Sequence, residues 1–247
     1  MRKFGLIGYP LGHSFSKKYF TEKFEKHGIS AEYELYPLED IEELSSLFKQ
    51  NKKIEGLNIT IPYKQLVLNY LDEIDDKAAQ IGAVNTIKIK SGKLKGYNTD
   101  YIGFKNSLVK FIGANAMPQK ALILGTGGAS KGVQEALKDL NISFHLVSRN
   151  PKNNELSYEE LNSSKVQNFN DAKLIINTTP LGTAPNLDQL PHLPYQLLTK
   201  DYFLYDLVYN PLETAFLKKG IEAKCWVKNG LEMLYGQAEA AWEIWNK

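Results

Sequence analysis

Gly125-Thr126-Gly127-Gly128-Ala129-Ser130 is the stretch of this sequence whose residue types and spacing most clearly suit chemistry. Lys120-Ala121-Leu122-Ile123-Leu124 precedes it and has the length of a buried strand. Residues 131–140 follow, with Val133, Ala136, Leu137 and Leu140 at helical spacing. The glycines therefore fall on a strand-to-helix turn. At such a turn bare backbone admits a ligand closely, and N–H groups point outward at a helix N-terminus. An anionic pyrophosphate suits the place; tight strand–helix packing is the other use of a glycine cluster. The pattern is a G-x-G-G variant of the dinucleotide fingerprint.

The next apolar run decides between the two. Ile142-Ser143-Phe144-His145-Leu146-Val147 alternates and ends at Ser148-Arg149-Asn150-Pro151-Lys152. In a Rossmann unit the end of the second strand meets the adenosine ribose. An acid there binds a free 2′-hydroxyl, whereas an Arg accommodates a 2′-phosphate. Arg149 and Lys152 stand at this point, with no acid before Glu155, which argues for NADP over NAD.

A cofactor of that kind moves a hydride, and some group must move the hydroxyl proton. His13, His27, His145 and His192 are scattered without ligand spacing, so a metal-assisted alcohol oxidation is disfavoured and no metal site is expected. Lys64 and Asp100 remain as a pair. A lysine acts as acid and base when burial and neighbours tune it, and a carboxylate orients it. From spacing alone, Lys64 reads equally as a surface lysine. Asp100 reads equally as a first-turn carboxylate favoured by a helix dipole.

The rest of the chain must position these groups. At 247 residues it makes one large domain or two ordinary ones, and it can bury a core without staples. Its 43% hydrophobic and 23% charged residues are those of a soluble globular protein. With 30 basic and 28 acidic residues, bulk charge does not point to nucleic acid. The single cysteine, Cys225, reads as a buried, inert thiol in a strand. The first apolar run is short and broken by Gly8 and Pro10, unlike a signal peptide, and no stretch approaches the ~18 apolar residues of a membrane span. A cytoplasmic, reduced protein is expected.

In chain order, residues 4–8 read as a buried strand running into a hydroxyl-rich loop. Ser16 is expected to cap a helix that carries Tyr19, Phe20 and Phe24 inward and ends at Gly28. A strand at 32–36 and a helix at 38–48 follow. Gly56-Leu57-Asn58-Ile59-Thr60-Ile61-Pro62-Tyr63-Lys64 is a strand with polar alternate positions, Asn58 and Thr60, and Pro62 suits the first turn of a helix. Such polar strand ends are where α/β sheets put ligands. A helix ends at Gly82, and strands at 82–89 and 93–96 form a hairpin about Ser91-Gly92. Asn98 or Thr99 caps a helix to Phe111. Beyond the glycine turn, strands are expected at 172–177, 203–208 and 222–227, a helix at 213–219 and a last helix at 231–245. Thr178-Thr179-Pro180-Leu181-Gly182 is a polar strand exit that closes over a cofactor. Gln237 lies among apolar neighbours of the last helix, as a rim residue or a ligand contact.

Taken together these motifs make the chain resemble the shikimate dehydrogenase family, along nearly its whole length. The matching stretches are 8–16, 56–64, Gly82-Ala83-Val84-Asn85-Thr86, Asn98-Thr99-Asp100, 125–130, 206–209, and Gly230 with Gln237. The resemblance implies NADPH-dependent, reversible reduction of 3-dehydroshikimate to shikimate on the way to chorismate and the aromatic amino acids. It implies Lys64 as acid/base with Asp100 its partner. Ser14 and Ser16 would bind the substrate carboxylate. Asn58, Thr60, Asn85, Asp100 and Gln237 would hold ring hydroxyls, and Tyr209 would reach the substrate from the cofactor side. The cofactor would meet Gly125, Thr126, Gly127, Gly128, Ala129, Ser148, Arg149, Lys152, Thr179, Leu207 and Gly230.

The implied fold is α/β in two lobes. One is an N-terminal α/β substrate domain, 1–101, to which the C-terminal helix 230–247 returns. The other is a Rossmann-like parallel-sheet NADP domain, 102–229. Monomer and homodimer both stay open. The sequence departs from the family pattern at Lys17, where Pro is usual, and at Phe20-Thr21, where His then Asn or Gln is common; altered packing or rim charge is expected there. Ser148-Arg149-Asn150 replaces Asn-Arg-Thr but keeps the arginine. An NAD-preferring quinate/shikimate dehydrogenase and a non-catalytic NADP-binding regulatory module are the alternatives. Arg149 and Lys152 speak against the first, and the presence of both Lys64 and Asp100 against the second.

Overall fold

A computed structural model describes residues 1–12, 14–113 and 116–247. His13, one of the four histidines and part of the first loop, lies outside the described residues. The chain divides into two compact units, Met1–Thr99 with Ala238–Lys247, and Asp100–Gln237. The last helix is thus shared between the units, whereas the sequence reading gave residues 230–247 wholly to the first.

In the first unit Arg2–Gly8 (β1), Ala31–Pro37 (β2), Ile54–Ile59 (β3), Glu73–Ile74 (β4), Thr86–Lys90 (β5) and Lys93–Tyr97 (β6) form one sheet in the order β2-β1-β3-β5-β6-β4. β1 runs parallel to β2 and β3, and the β5–β6 hairpin runs antiparallel to β3. Ser91 and Gly92 both take positive φ, the left-handed conformation that a two-residue hairpin turn requires. β1 is apolar on both faces because both are covered. Phe4 and Leu6 pack with Phe20, Phe24, Tyr33, Ala241 and Trp245, while Ile7 packs with Leu44, Leu57, Ile59, Val84 and Ile87. Phe15–Lys26 (α1), Leu44–Gln50 (α2) and Asp76–Ile81 (α3) are its helices.

Three local expectations need correction here. α1 is capped by Ser14, whose Oγ accepts the Lys17 N–H at 3.3 Å, and Ser16 already lies inside the helix. The expected helix at 38–48 starts late: Asp40 and Glu43 form a capping box, a 3₁₀ turn covers Ile41–Glu43, and α2 follows. Pro62 opens no α-helix; residues 61–65 form turns that lead into a 3₁₀ segment, Leu66–Tyr70.

Thr99–Ile112 (α4) opens the second unit. Its sheet comprises Lys120–Leu124 (β7), Ser143–Ser148 (β8), Leu156–Ser157 (β9), Leu174–Asn177 (β10), Phe203–Asp206 (β11) and Trp226–Lys228 (β12). All its pairings are parallel, in the order β12-β11-β10-β7-β8-β9. That is the doubly wound dinucleotide-binding order, with its switch point between β7 and β10. Gly128–Asp139 (α5), Tyr158–Leu161 (α6), Val166–Asp171 (α7), Ala215–Glu222 (α8) and Leu231–Asn246 (α9) complete the chain. Residues 222–227 are not one strand: Glu222 ends α8, Lys224 takes a left-handed φ of 59°, and β12 begins at Trp226. Cys225 therefore precedes the strand and is half-buried, its thiol 3.2 Å from the Thr199 carbonyl.

A carboxylate is buried at the end of β11. Asp206 accepts from Asn177 Nδ2 at 2.9 Å and Val208 N at 3.0 Å through Oδ1, and from Thr214 Oγ1 at 2.6 Å through Oδ2. Burial outweighs these bonds and pushes the carboxyl from an ordinary 3.8 up to about 6. The folded chain thus holds this proton more tightly than the unfolded one. As pH rises from about 4 to about 6, wild type should lose up to about 3 kcal/mol of stability relative to Asp206→Asn, with no further change above. Urea titrations of both proteins across that range check it.

In the first unit Trp245 is a buried anchor. It is 4% exposed, stacks on Phe4 at 4.7 Å between centroids and donates from Nε1 to the Ile87 carbonyl at 2.9 Å. A Cβ on Gly56 would overlap its indole, so the strand approaches the ring directly. Trp245→Ala should cost about 3–5 kcal/mol, measured as a lower urea midpoint.

Candidate active site

In the first unit the named polar residues collect at one end of the sheet. β1 and β3 run parallel and finish together, with Ile7 paired to Ile59, and β5 starts where β3 ends, with Asn58 paired to Thr86. Ser14 and Ser16 at the start of α1, the Thr60–Lys64 turn, and Asn85 therefore share the carboxyl edge of β1 and β3, where α/β sheets put ligands. Gly8 allows the close approach: a Cβ there would overlap the Thr60 methyl. Thr60 N donates to the Ile7 carbonyl at 2.9 Å, and Val84 N to the Lys64 carbonyl at 2.7 Å. The backbone of the lysine turn is thus pinned from two sides, and the Lys64 residue is half-buried.

Beneath that edge lies a closed polar network. Tyr33 Oη donates to Asn58 Oδ1 at 2.7 Å, and Asn58 Nδ2 donates to Thr86 Oγ1 at 3.2 Å and the Asn85 carbonyl at 3.4 Å. Asn85 Oδ1 accepts the Thr99 N–H at 2.7 Å, and its Nδ2 donates to Thr99 Oγ1 at 3.0 Å. Asn98 Nδ2 donates to the Ala83 carbonyl at 2.9 Å. Asn58 is 4% exposed and Asn85 3% exposed, and this network holds both in place. The network also starts α4 at Thr99, which places Asp100 in its first turn. Lys64 belongs to the first unit and Asp100 to the second.

The departures from the family pattern have plain physical roles. Lys17 pairs with Glu34 at 2.7 Å. Phe20 is fully buried and stacks on Tyr33 at 4.8 Å, holding the ring whose hydroxyl meets Asn58. Thr21 is exposed.

The glycine turn of the second unit sits at the switch point. Gly125, with φ +102°, donates from N to the Val147 carbonyl at 2.8 Å, and a Cβ on it would lie 2.9 Å from Thr178 Oγ1. Gly127 caps α5 without a side chain, and at Gly127 and Gly128 an added Cβ would meet nothing within 4 Å. The backbone there faces open space, a cradle of the kind a pyrophosphate fills. Ser148 ends β8, which lies beside β7, and the exposed Arg149 follows it. Ser148 Oγ accepts the Asn150 N–H at 3.3 Å, and Lys152 N donates to Glu155 Oε2 at 3.0 Å. The residues present fit an adenine dinucleotide with a 2′-phosphate.

Across the switch point, Thr179 is held by Asn177: its N and Oγ1 both donate to Asn177 Oδ1, at 3.0 and 2.6 Å. Leu207 N donates to the Asn177 carbonyl at 2.9 Å, and Gly230 N to the Val208 carbonyl at 3.0 Å. A Cβ on Gly230 would overlap the Leu207 carbonyl, so only glycine permits this approach. Tyr209 is 38% exposed. Gln237 is 9% exposed and donates to the Leu234 carbonyl at 3.0 Å on α9. Among the described residues no group of three or more His, Cys, Asp or Glu is placed to hold a metal ion, and no helix is long and apolar enough to cross a membrane.

Tyr33, Thr86, Asn177, Asp206 and Thr214, to which sequence reasoning gives no role, support these residues from behind. Thr86 and Asp206 lie in the matching stretches 82–86 and 206–209, and Asn177 and Asp206 also stand out as polar residues inside apolar strands.

The family model described as the shikimate dehydrogenase substrate binding domain matches residues 6–87. The chain is 42% identical over 258 aligned residues to the shikimate dehydrogenase (NADP(+)) of Clostridium beijerinckii, covering 100% of this chain and 93% of that protein. It is similar to the crystal structure of a chorismate mutase/shikimate 5-dehydrogenase fusion protein from Clostridium acetobutylicum, at 39% identity and TM-score 0.84, over 99% of this chain and 91% of that one. It is equally similar in fold to shikimate 5-dehydrogenase from Thermus thermophilus in complex with NADP(H) and shikimate, at 31% identity and TM-score 0.84, over 99% of this chain and 93% of that one. The length and closeness of these matches establish that the chain belongs to the shikimate dehydrogenase family.

Proposed function

We propose that this chain interconverts 3-dehydroshikimate and shikimate with NADP(H), as a step toward chorismate and the aromatic amino acids. The observation that carries the reading is full-length membership of the family with Lys64 and Asp100 both in place. The first unit is the substrate half and the second the cofactor half.

NADP, when bound, supplies or accepts the hydride. The chain's own residues do the rest. In the reducing direction the Lys64 ammonium gives a proton to the oxygen of the ketone as it becomes a hydroxyl; in the oxidising direction the neutral amine takes that proton back. Asp100 is its charged partner. Ser14 and Ser16 bind the substrate carboxylate, Thr60, Asn85 and Gln237 bind ring hydroxyls, and Tyr209 reaches the substrate. Asn58 and Asn85 are both held in the buried network; Asn58, bonded to Tyr33, Thr86 and the Asn85 carbonyl, acts by holding Asn85 in place. A substrate lacking one hydroxyl would leave a protein group unpaired at about 1–3 kcal/mol, which makes the site selective.

The turn from Gly125 through Thr126, Gly127 and Gly128 to Ala129 would hold the pyrophosphate, and Ser148, Arg149 and Lys152 the 2′-phosphate. Thr179, Leu207 and Gly230 would flank the nicotinamide.

Lys64→Ala should lower kcat by roughly 10²–10⁴-fold while the dissociation constants of shikimate and NADPH change little. Steady-state kinetics beside binding titrations check this, and unaltered turnover removes Lys64 from the mechanism. Arg149→Ala should lower kcat/KM with NADP by roughly ten- to hundredfold and leave the NAD value nearly unchanged. Parallel assays with both cofactors read the difference; an equal loss with each contradicts 2′-phosphate recognition.

A further inference from the structure

The proton transfer above makes no use of the buried Asp206, yet this side chain ties together several groups on the edge that faces the glycine turn. Its Oδ1 accepts from Asn177 Nδ2 and from Val208 N, and its Oδ2 from Thr214 Oγ1. Each partner passes the constraint on. Asn177 Oδ1 holds both donors of Thr179, whose Oγ1 in turn accepts the Leu181 N–H at 3.4 Å. The Asn177 carbonyl accepts from Leu207 N, and the Val208 carbonyl accepts from Gly230 N. Thr214 Oγ1 accepts the Leu217 N–H at 3.3 Å and so caps α8. Thr178, next to Thr179, lies against Gly125 closely enough that a Cβ on that glycine would press on its Oγ1.

An apolar residue would be cheaper at a position with no solvent exposure. What the carboxylate adds is acceptors in two directions: toward the exit of its own strand and toward the exit of the neighbouring strand. We propose that Asp206 is the positioning residue of the cofactor half, fixing Thr179 and Leu207 at the carboxyl ends of β10 and β11 opposite the Gly125–Gly128 turn. Asp206 touches neither ligand; it acts through Asn177, Val208 and Thr214. The proposal rests on the reading of this unit as the NADP half.

The test compares wild type, Asp206→Asn and Thr214→Val at pH 8. Asn keeps the shape and the Oδ1 acceptor but turns a donor toward Thr214. Val deletes only the hydroxyl that meets Oδ2. NADPH binding is followed by its fluorescence, kinetics with shikimate and NADP are measured well below each unfolding midpoint, and circular dichroism reports folding. Asp206→Asn should raise the NADPH dissociation constant and the KM for NADP roughly tenfold, while the KM for shikimate moves less than twofold. Thr214→Val should act in the same direction and less, roughly threefold. A fold-wide loosening would instead raise both KM values together, and that result overturns the proposal. So do folded variants with wild-type NADPH affinity. If Asp206→Asn does not fold, Thr214→Val alone decides. Wild type that binds no NADPH would overturn the cofactor reading itself, whereas wild type that binds it beside unchanged variants overturns only the role of Asp206.

Discussion

The 2.7 Å hydrogen bond from Thr99 N to Asn85 Oδ1 sets the geometry on which the first unit's polar edge depends. A helix leaves its first N–H groups without intrahelical partners, and something must accept them. Here the acceptor is a side chain from the start of the β5 strand, so the beginning of α4 is fixed to the sheet rather than to its own loop. Asp100 inherits its place from that bond. Asn85 in turn is held by Thr86 and Thr99, and Asn58 by Tyr33, so the chain of fixed groups runs from the aromatic core to the first turn of α4. A buried amide with its partners in place is rigid, and rigidity is what a site of several converging donors and acceptors needs.

The second unit meets the same constraint differently. Its strands are parallel and apolar, and their backbone groups are consumed by the ladder, so only the carboxyl ends can present polar groups. Glycine is used where a neighbour presses close, the Thr178 and Thr179 side chains at Gly125 and the Leu207 backbone at Gly230, and where nothing must intrude, at Gly127 and Gly128. The first pair serves packing and the second leaves room. A glycine cluster read from sequence alone does not separate these two uses.

Much of the architecture was legible because it rests on periodicity. Continuous apolar runs such as 120–124 and 174–177 announce buried strands, and the Ser91-Gly92 pair announces a hairpin. What escaped is what periodicity does not carry. β4 and β9 are two residues each, too short for any alternation to register, although the Ser157 to Glu160 capping box marked the helix after β9. The cap of α1 went to Ser16 instead of Ser14 because two serines in one loop offer equal chemistry, and only the backbone angle chooses between them. Residues 222–227 were read as a strand, but Glu222 closes α8 and a left-handed Lys224 separates helix from strand. The site residues carried by motif were nameable; the supporting role of the groups behind them was not, even for Asp206, which lies inside the matching stretch 206–209. A buried charge is justified by partners distant in the chain, and nothing in its own neighbourhood announces them.

The division of α9 between the two units bears on the order in which the protein is assembled. Residues 100–237 form one continuous stretch, so that unit gathers no distant segment. The other unit must join 238–247 to 1–99. Its aromatic cluster lacks an anchor until Trp245 arrives to bond the Ile87 carbonyl, a partner 158 positions earlier. Until then Phe4, Phe20 and Phe24 face an unfilled groove. That delay, set by a contact of such long range, leaves an aromatic surface open to aggregation while the chain folds.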